Sequence, residues 1–235
     1  HNDKKNIVGI GASAGGLQAI GSLLANLHKS NRFVYIIAQH MATDSHMQLM
    51  LKLIRLESPI PVTIANHDDV LQVDHVYLIP AGCDGYVAGG HLCLQQLPAR
   101  MHSRPSINLL FNSIAKECGA YGVGVILSGA GTDGAAGCQA IKAAGGLTLA
   151  QAPSSAQFDG MPAASIETGA IDYIFPPEEL AAFLTSDISG GMPRSLSNSR
   201  LKLSLTAQHL TKLLDLVLQV TGLDFTKYKE ETLIR

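Results

Sequence analysis

Residues 6–16 read N-I-V-G-I-G-A-S-A-G-G, and this stretch decides the fold. Its short run of β-branched residues is typical of a buried strand, which we predict over 6–11. A helix is predicted over 15–27, because apolar residues there recur at helical spacing: Leu17, Ile20, Leu24 and Leu27. A strand, a glycine-rich turn and a helix in this order indicate the start of a parallel α/β sheet.

The same alternation continues along the chain. Residues 33–38 (F-V-Y-I-I-A) predict a second buried strand, and residues 45–56 predict a second amphipathic helix. Further strands are predicted over 62–65, 76–79, 86–88, 91–95, 123–127 and 147–150. Further helices are predicted after Ser106 and over 134–144, with a final strand and helix near 173–184. We therefore expect an α/β fold, a doubly wound and mainly parallel sheet with helices on both faces.

The last part of the chain differs in composition from the rest. Residues 186–199 are rich in Ser and Gly, lack periodicity and indicate a linker. Residues 203–220 have the pattern of an amphipathic helix, but the segment 200–235 is too short to close a core alone. We therefore expect one domain over 1–185, the linker, and then a C-terminal α-helical extension that is the truncated start of another domain.

Composition excludes several classes of protein. Of the 235 residues, 46% are hydrophobic and 15% are charged, which is enough apolar material for a large core and rules out a disordered chain. Lys and Arg number 17 against 19 Asp and Glu, so no basic excess exists to bind nucleic acid. Long apolar runs and a signal peptide are both missing from the sequence. We expect a cytoplasmic protein without membrane insertion.

The cysteines and histidines do not indicate a metal site. The four cysteines form no C-x-x-C pair, and the nine histidines form no H-E-x-x-H motif. Each cysteine lies in or beside an apolar run, which favours thiols over disulfides in a chain without an export signal. The sequence therefore predicts no bound metal and no cofactor.

Ser13 lies in the turn between the first strand and the first helix, within a G-x-S-x-G pattern. Such a turn raises a serine above the sheet, and N–H groups at the helix start can face a developing oxyanion. The same stretch fits a dinucleotide-binding fingerprint, G-x-G-x-x-A over 9–14. That alternative requires an acidic residue after the second strand, where residues 38–41 read A-Q-H-M, so nucleotide binding is disfavoured.

Two further polar residues follow predicted strands. His40 comes directly after the second strand, and Asp133 lies in the glycine-rich turn L-S-G-A-G-T-D-G over 127–134. A histidine at a strand end is often a simple hydrogen-bonding group, and an aspartate before a helix is often its N-cap. The carboxyl ends of parallel strands, however, meet at one edge of a sheet. A hydroxyl, an imidazole and a carboxylate collected there indicate a Ser-His-Asp triad.

Motifs along most of the chain resemble those of one family. They are G-A-S-A-G-G (11–16), A-Q-H-M (38–41), R-P-S-I-N-x-L-F (104–111), I-L-S-G-A-G-T-D-G-A-A-G (126–137), and Gln151 followed by G-M-P-A-A-S (160–165). From Asn6 to Leu184 the chain resembles the catalytic domain of CheB chemotaxis methylesterases. The resemblance implies hydrolysis of γ-glutamyl methyl esters on the cytoplasmic helices of chemoreceptors, with release of methanol. It also implies deamidation of selected receptor glutamines.

The resemblance assigns a role to each candidate residue. Ser13 takes the place of the nucleophile, His40 that of the general base and Asp133 that of the acid. The backbone N–H of Ala14 is the expected oxyanion donor. At three positions the chain departs from the residue usual in the family. Ala14 stands in place of a threonine, Ala130 in place of a methionine and Asn108 in place of an aspartate. These departures bear on the catalytic rate more than on the type of reaction. The first of them leaves open a second hypothesis, a non-catalytic receptor-binding module that keeps the methylesterase fold.

The tail carries a resemblance of its own. Residues 221–235, T-G-L-D-F-T-K-Y-K-E-E-T-L-I-R, resemble the start of CheR-type receptor methyltransferases, which add the methyl group that CheB removes. This implies a fragment of a CheB–CheR fusion. The partners expected from the two resemblances are the cytoplasmic domain of a methyl-accepting chemoreceptor and the remaining CheR-like domain of the full-length protein.

Overall fold

The computed structural model describes residues 6–41, 44–96 and 105–185. Within these ranges the chain forms a seven-stranded sheet, a separate three-stranded sheet, and helices on both faces of the larger sheet. The predicted α/β class is confirmed. The predicted linker over 186–199 and extension over 200–235 lie outside the described residues, so the domain boundaries stay predictions.

The larger sheet is parallel throughout. In chain order the strands are β1 (Asn6–Ala12), β2 (Phe33–Gln39), β3 (Val62–Ile64), β4 (Asp69–Val70), β5 (Val76–Leu78), β6 (Cys83–Ala88), β7 (His91–Gln96), β8 (Gly122–Ile126), β9 (Leu147–Gln151) and β10 (Tyr173–Phe175). Seven of them pair in the order β10-β9-β8-β1-β2-β5-β3. The remaining three form an antiparallel sheet in the order β4-β7-β6. The central strand β1 therefore has β2 on one side and β8 on the other.

Helices cover both faces of the parallel sheet. They are α1 (Gly16–Ala25), α2 (Asp44–Glu57), α3 (Ile107–Cys118), α4 (Ala135–Ala143), α5 (Gly160–Glu167) and α6 (Pro177–Thr185). Single 3₁₀ turns occur at Gly119–Tyr121 and Pro153–Ser155. One core forms between the sheet and α1, α2 and α6, and the other between the sheet and α3, α4 and α5. This is the double covering expected of a buried parallel sheet.

The uninterrupted apolar sequence of β2 follows from these two cores. All seven of its residues are buried, and successive side chains point to opposite faces of the sheet. Tyr35 and Ile37 belong to the core with α1, whereas Val34 and Ile36 belong to the core with α3. A strand with solvent on one face would have alternated apolar and polar residues.

Two glycines make room for α3 against the centre of the sheet. Gly9 of β1 and Gly124 of β8 are paired in register. A Cβ atom at either position would come within 3.0 Å of the ring of Phe111, which is fully buried. The absence of a side chain at these two positions therefore fixes how closely α3 approaches the centre of the sheet.

Most predicted elements are confirmed, within a few residues at their ends, and two were missed. The helix α5 was not predicted, because G-M-P-A-A-S has no one-sided apolar pattern and contains Gly160 and Pro162. Pro162 is tolerated because it lies in the first turn, where its missing N–H would have no helical partner. The strand β4 has only two residues, Asp69–Val70, which is too short to leave a periodic signal.

Two expectations from the sequence concern residues that the structure describes: thiols in place of disulfides, and no membrane-spanning helix. No disulfide joins the four cysteines, of which three are buried and Cys93 is partly exposed. Over the ranges that the structure describes, no helix is both long enough and apolar enough to cross a membrane.

Replacing Gly124 by alanine tests the packing of α3. We expect Gly124→Ala to lower the free energy of unfolding by about 1–3 kcal/mol, because the new Cβ overlaps buried rings and methyl groups. Gly21→Ala is the matched control. Its Cβ would meet only the carboxylate end of Glu57, a flexible side chain, and alanine favours helix, so we expect stabilisation by about 0.5–1 kcal/mol. Urea unfolding measures both changes. Equal effects of the two substitutions would contradict the packing argument.

Candidate active site

Ser13 is the first residue after β1, and hydrogen bonds hold its backbone on both sides. Its N–H donates to the carbonyl of Ser128 at 3.0 Å, and its own carbonyl accepts from Gly16 N at 2.9 Å. Gly15 adopts a φ of 70°, in the left-handed region that glycine favours, and α1 starts at the next residue. The sharp strand-to-helix turn predicted around Ser13 is therefore present, and it leaves the serine half-buried.

His40 is the first residue after β2. The last register pair of the two strands is Ala12 with Gln39, and His40 N donates to the carbonyl of Ala12 at 3.0 Å. Ser13 and His40 are therefore the residues that come directly after the last register pair of two adjacent parallel strands. The structure brings them to the same edge of the sheet, as the sequence predicted.

The carboxylate of Asp133 reaches His40 from the turn after β8. Its Oδ2 lies 2.9 Å from His40 Nε2, and only 10% of the His40 side chain is exposed. The same Oδ2 accepts from Ile107 N at 2.8 Å, and Oδ1 accepts from Asn108 N at 2.9 Å. Asp133 therefore joins the imidazole to the N-terminus of α3, where the helix dipole favours a negative charge.

These contacts determine the charge of Asp133. Burial on its own raises the pKa of the carboxyl, but hydrogen bonds from the His40 ring and from two helix N–H groups outweigh it, so that the pKa of Asp133 lies below its usual value. The carboxylate is therefore ionised at neutral pH. An ionised acceptor beside an imidazole fixes the ring and stabilises the imidazolium when a proton arrives.

The contact between hydroxyl and imidazole is not formed in this structure. Nε2 of His40 is turned to Asp133, which leaves Nδ1 as the ring nitrogen available to Ser13. Within the part of the chain that is described, Ser13 Oγ makes no hydrogen bond. Two members of the predicted triad are therefore in contact, and the third is placed beside them by strand register. Catalytic hydrogen bonds of enzymes without substrate are often long and tighten in the complex.

The backbone N–H of Ala14, the predicted oxyanion donor, donates to no acceptor among the described residues. The N–H groups of Ser13 and Gly16, by contrast, are both hydrogen-bonded. The N–H of Gly15 is likewise without an acceptor there. An N–H group that is already satisfied cannot stabilise an oxyanion, so this turn keeps two donors available.

Comparison with known proteins identifies the family. The sequence pattern that defines the CheB methylesterase family matches residues 8–184 of this chain. The chain belongs to the CheB methylesterase family. A protein-glutamate methylesterase/protein-glutamine glutaminase of Geobacter metallireducens is 35% identical over 76% of this chain and 52% of its own length. One of Paramagnetospirillum magneticum is 38% identical over 76% of this chain and 50% of its own length.

The chain spans about half the length of these curated relatives. A solved structure covers the matching part. The CheB methylesterase catalytic domain of Thermotoga maritima superposes with a TM-score of 0.71 at 25% sequence identity, over 77% of this chain and 97% of that one. The fold described above is therefore that of a CheB catalytic domain.

Asn108 has a structural role that the sequence did not reveal. Its Oδ1 accepts from Gly134 N at 3.0 Å and from Gly137 N at 2.8 Å, so it caps the N-terminus of α4. The alternative interpretation of Asp133 as the cap of α4 is wrong, because that carboxylate binds α3. Asp133, which precedes α4, thus caps α3, whereas Asn108, which lies in α3, caps α4. The sequence did not indicate this exchange of caps, because the two residues belong to motifs that are distant in sequence.

An apolar groove of about 710 Å³ begins at Ser13 and runs between α1 and α2. Five apolar side chains line it: Leu17, Met41, Met50, Leu53 and Ile54. Leu17 and Leu53 are 38% and 40% exposed, so the groove presents apolar surface to solvent next to Ser13. Such a surface can hold apolar parts of a ligand whose reacting group lies at Ser13. Within the described ranges, no cluster of three or more metal-ligating side chains occurs.

Replacing Asp133 by asparagine tests the electrostatics of the site. We expect Asp133→Asn to lower the free energy of unfolding at pH 7 by about 1–3 kcal/mol, because an amide nitrogen then faces a backbone N–H. The pKa of Asp133 is lower in the folded than in the unfolded state. Its stabilising contribution is therefore complete above the unfolded pKa and is lost as pH falls through the folded pKa.

The stability difference between wild type and Asp133→Asn should consequently shrink from pH 7 to about pH 3. Urea unfolding at both pH values measures it. Asp68→Asn is the control, since the Asp68 side chain is 67% exposed and its loss should matter little at either pH. A difference that stays constant with pH would contradict the assigned ionisation.

Proposed function

We propose that this chain hydrolyses γ-glutamyl methyl esters on the cytoplasmic helices of chemoreceptors, and that it deamidates glutamines there as a second reaction. The observation that carries the proposal is the 2.9 Å contact between His40 Nε2 and Asp133 at the sheet edge where Ser13 follows β1. The relatives named protein-glutamate methylesterase/protein-glutamine glutaminase support the same reaction pair.

The first half of the reaction forms an acyl-enzyme. Ser13 Oγ attacks the ester carbonyl while its proton moves to His40, and Asp133 stabilises the imidazolium. The carbonyl oxygen becomes an oxyanion, which the N–H of Ala14 is placed to receive, with the N–H of Gly15 as a second donor. His40 then returns the proton to the leaving methoxide, and methanol departs.

The second half restores the enzyme. A water molecule gives a proton to His40 and attacks the acyl carbon, and the tetrahedral intermediate expels the Ser13 oxygen, which takes the proton back. The products are free Ser13 and a glutamic acid side chain, which releases its proton to solvent and becomes glutamate. For a glutamine side chain the same steps hold, except that ammonia is the leaving group. No step requires a metal or cofactor, and we propose that the chain binds none.

The groove supports a polypeptide substrate over a small ester. A methyl ester alone would occupy a small part of about 710 Å³, whereas the leucine and methionine lining suits the apolar face of a helix. The ester-bearing residue of that helix would lie at Ser13, and the apolar residues one or two turns away would lie over Leu17 and Leu53. A cytoplasmic location follows from such a substrate.

A non-catalytic receptor-binding module remains the second candidate. Ala14 favours it, because a threonine hydroxyl usual in the family at this turn is missing. The esterase is better supported, since an oxyanion needs the backbone N–H and alanine keeps it. A purified chain that binds methylated receptor without releasing methanol would establish the second candidate.

We also propose that the full-length protein continues into a CheR-like methyltransferase. This rests on the sequence of 221–235 alone, which lies outside the described residues. Sequencing the reading frame downstream of this segment tests it. A CheR-like domain there would make the demethylating and methylating enzymes parts of one chain.

Replacing Ser13 tests the nucleophile. Ser13→Ala should reduce methanol release from methylated receptor by at least about 10³-fold, because no acyl-enzyme can form. The urea midpoint should stay close to that of wild type, since Ser13 Oγ makes no hydrogen bond among the described residues. Ser58→Ala removes another half-buried serine hydroxyl and should keep full activity. Unchanged turnover of Ser13→Ala would refute the mechanism.

Replacing Leu53 tests the groove. Leu53→Glu should raise the KM for methylated receptor about tenfold, because a charge replaces apolar contact, and should leave hydrolysis of a small activated ester unchanged. Leu56→Glu is the matched control, since Leu56 lies on the same helix, is 83% exposed and does not line the groove. Steady-state kinetics with both substrates decide. Equal effects of the two variants would exclude the groove as the receptor site.

A further inference from the structure

Gln39 joins the two loops that carry the nucleophile and the base. It is the last residue of β2, and its side chain is buried. Nε2 lies 2.8 Å from the carbonyl oxygen of Ser13 and 3.1 Å from that of His40. Both partners are carbonyl oxygens, which only accept hydrogen bonds. The atom facing them must therefore be the amide nitrogen, which has two hydrogens to donate.

These bonds act where the strand ladder ends. The last register pair of β1 and β2 is Ala12 with Gln39, and one further backbone hydrogen bond, from His40 N to the Ala12 carbonyl, joins the ends of the two strands. The Gln39 amide adds one hydrogen bond to each loop. Ser13 is then held at its N–H by Ser128 and at its carbonyl by Gly16 and Gln39.

The oxygen of the Gln39 amide indicates that a contribution to stability alone does not explain why a glutamine is present here. Gln39 Oε1 is buried and has no hydrogen-bond partner among the described residues. A buried acceptor without a partner destabilises a fold. By comparison, Gln151 at the end of β9 uses both ends of its amide, accepting from Ser128 N and donating to the Ser155 carbonyl. Gln39 therefore carries a cost in stability that the N–H groups of its amide must offset.

We propose that Gln39 is a positioning residue, whose amide fixes the distance and angle between Ser13 and His40. The proposal rests on the proposed esterase function. Because Ser13 Oγ and His40 are not hydrogen-bonded in the resting structure, their alignment depends on the backbone of the two loops. A misplacement of about 1 Å is enough to reduce catalysis by about 100-fold.

The first test is Gln39→Leu, which keeps the volume and removes both N–H groups together with the unpartnered oxygen. We expect kcat for methanol release from methylated receptor to fall by about 10- to 100-fold, with KM within about twofold of wild type. The urea midpoint should change little, because the lost hydrogen bonds are offset by loss of the buried acceptor.

Thr148→Val is the control for structural damage. Thr148 is fully buried near the amino end of β9, at the opposite edge of the sheet, and its hydroxyl is hydrogen-bonded to Ala170 and Asp172. We expect this variant to lower the urea midpoint and to keep kcat per folded molecule. If Gln39→Leu loses activity only in proportion to unfolded protein, the positioning role is refuted.

The second test, Gln39→Glu, gives a readout that a merely structural role would not move. A protonated carboxyl can donate to one of the two carbonyls, whereas a carboxylate repels both. The ratio of the kcat of Gln39→Glu to that of wild type should therefore fall as pH rises and the new carboxyl ionises. A ratio that does not change with pH in a folded Gln39→Glu variant would overturn the proposal.

NMR of the wild-type chain separates this proposal from the esterase proposal. Scalar couplings from the Gln39 side-chain N–H groups to the carbonyl carbons of Ser13 and His40 would establish both hydrogen bonds without turnover. Couplings together with absent methanol release would refute the esterase and support the two hydrogen bonds of Gln39. Methanol release without the couplings would refute the positioning role of Gln39 alone.

Discussion

The site depends on one carboxylate that accepts hydrogen bonds from three donors. Asp133 leaves β8 in a glycine-rich turn and accepts from His40, Ile107 and Asn108. Because two of those donors are the first N–H groups of α3, the orientation of the histidine is tied to a helix that packs against the centre of the sheet. The glycines of β1 and β8 let α3 come close enough to make this contact. Packing deep in the core thus sets the position of the His40 ring at the carboxyl edge of the sheet.

Much of this was readable in the sequence, and the reason is topological. Ser13, His40 and Asp133 each follow a strand, and parallel strands collect such residues at one edge whatever their separation in the chain. Gln39 and Asn108 were not readable in the same way. Gln39 looked like one more strand residue, and Asn108 lay inside a helix motif. Their roles depend on which carbonyl or N–H group lies opposite, which only the packed structure shows. The helix α5 was missed because its glycine and proline contradict helix propensity.

In this structure some of the contacts that the proposed reaction needs are formed and others are not. The imidazole and the carboxylate are in contact, two N–H groups of the Ser13 turn have no acceptor among the described residues, and the hydroxyl has no hydrogen bond there. These groups sit beside an apolar groove, so arrival of a substrate would exclude water from all of them together. Exclusion of water strengthens the pairing of imidazole and carboxylate, since the local dielectric falls. Under the proposed mechanism, binding in the groove and activation of the serine would therefore be coupled.

The mutual capping of α3 and α4 has a consequence for how the protein is inactivated. Asp133 satisfies the start of α3, and Asn108 satisfies the start of α4, so neither helix can fray at that end without releasing the other. Loosening of either helix also frees the carboxylate that orients the imidazole. Heat or denaturant should therefore abolish chemistry and helix order in a single cooperative step. We therefore expect fraying of either helix start to be accompanied by loss of the orientation of the histidine.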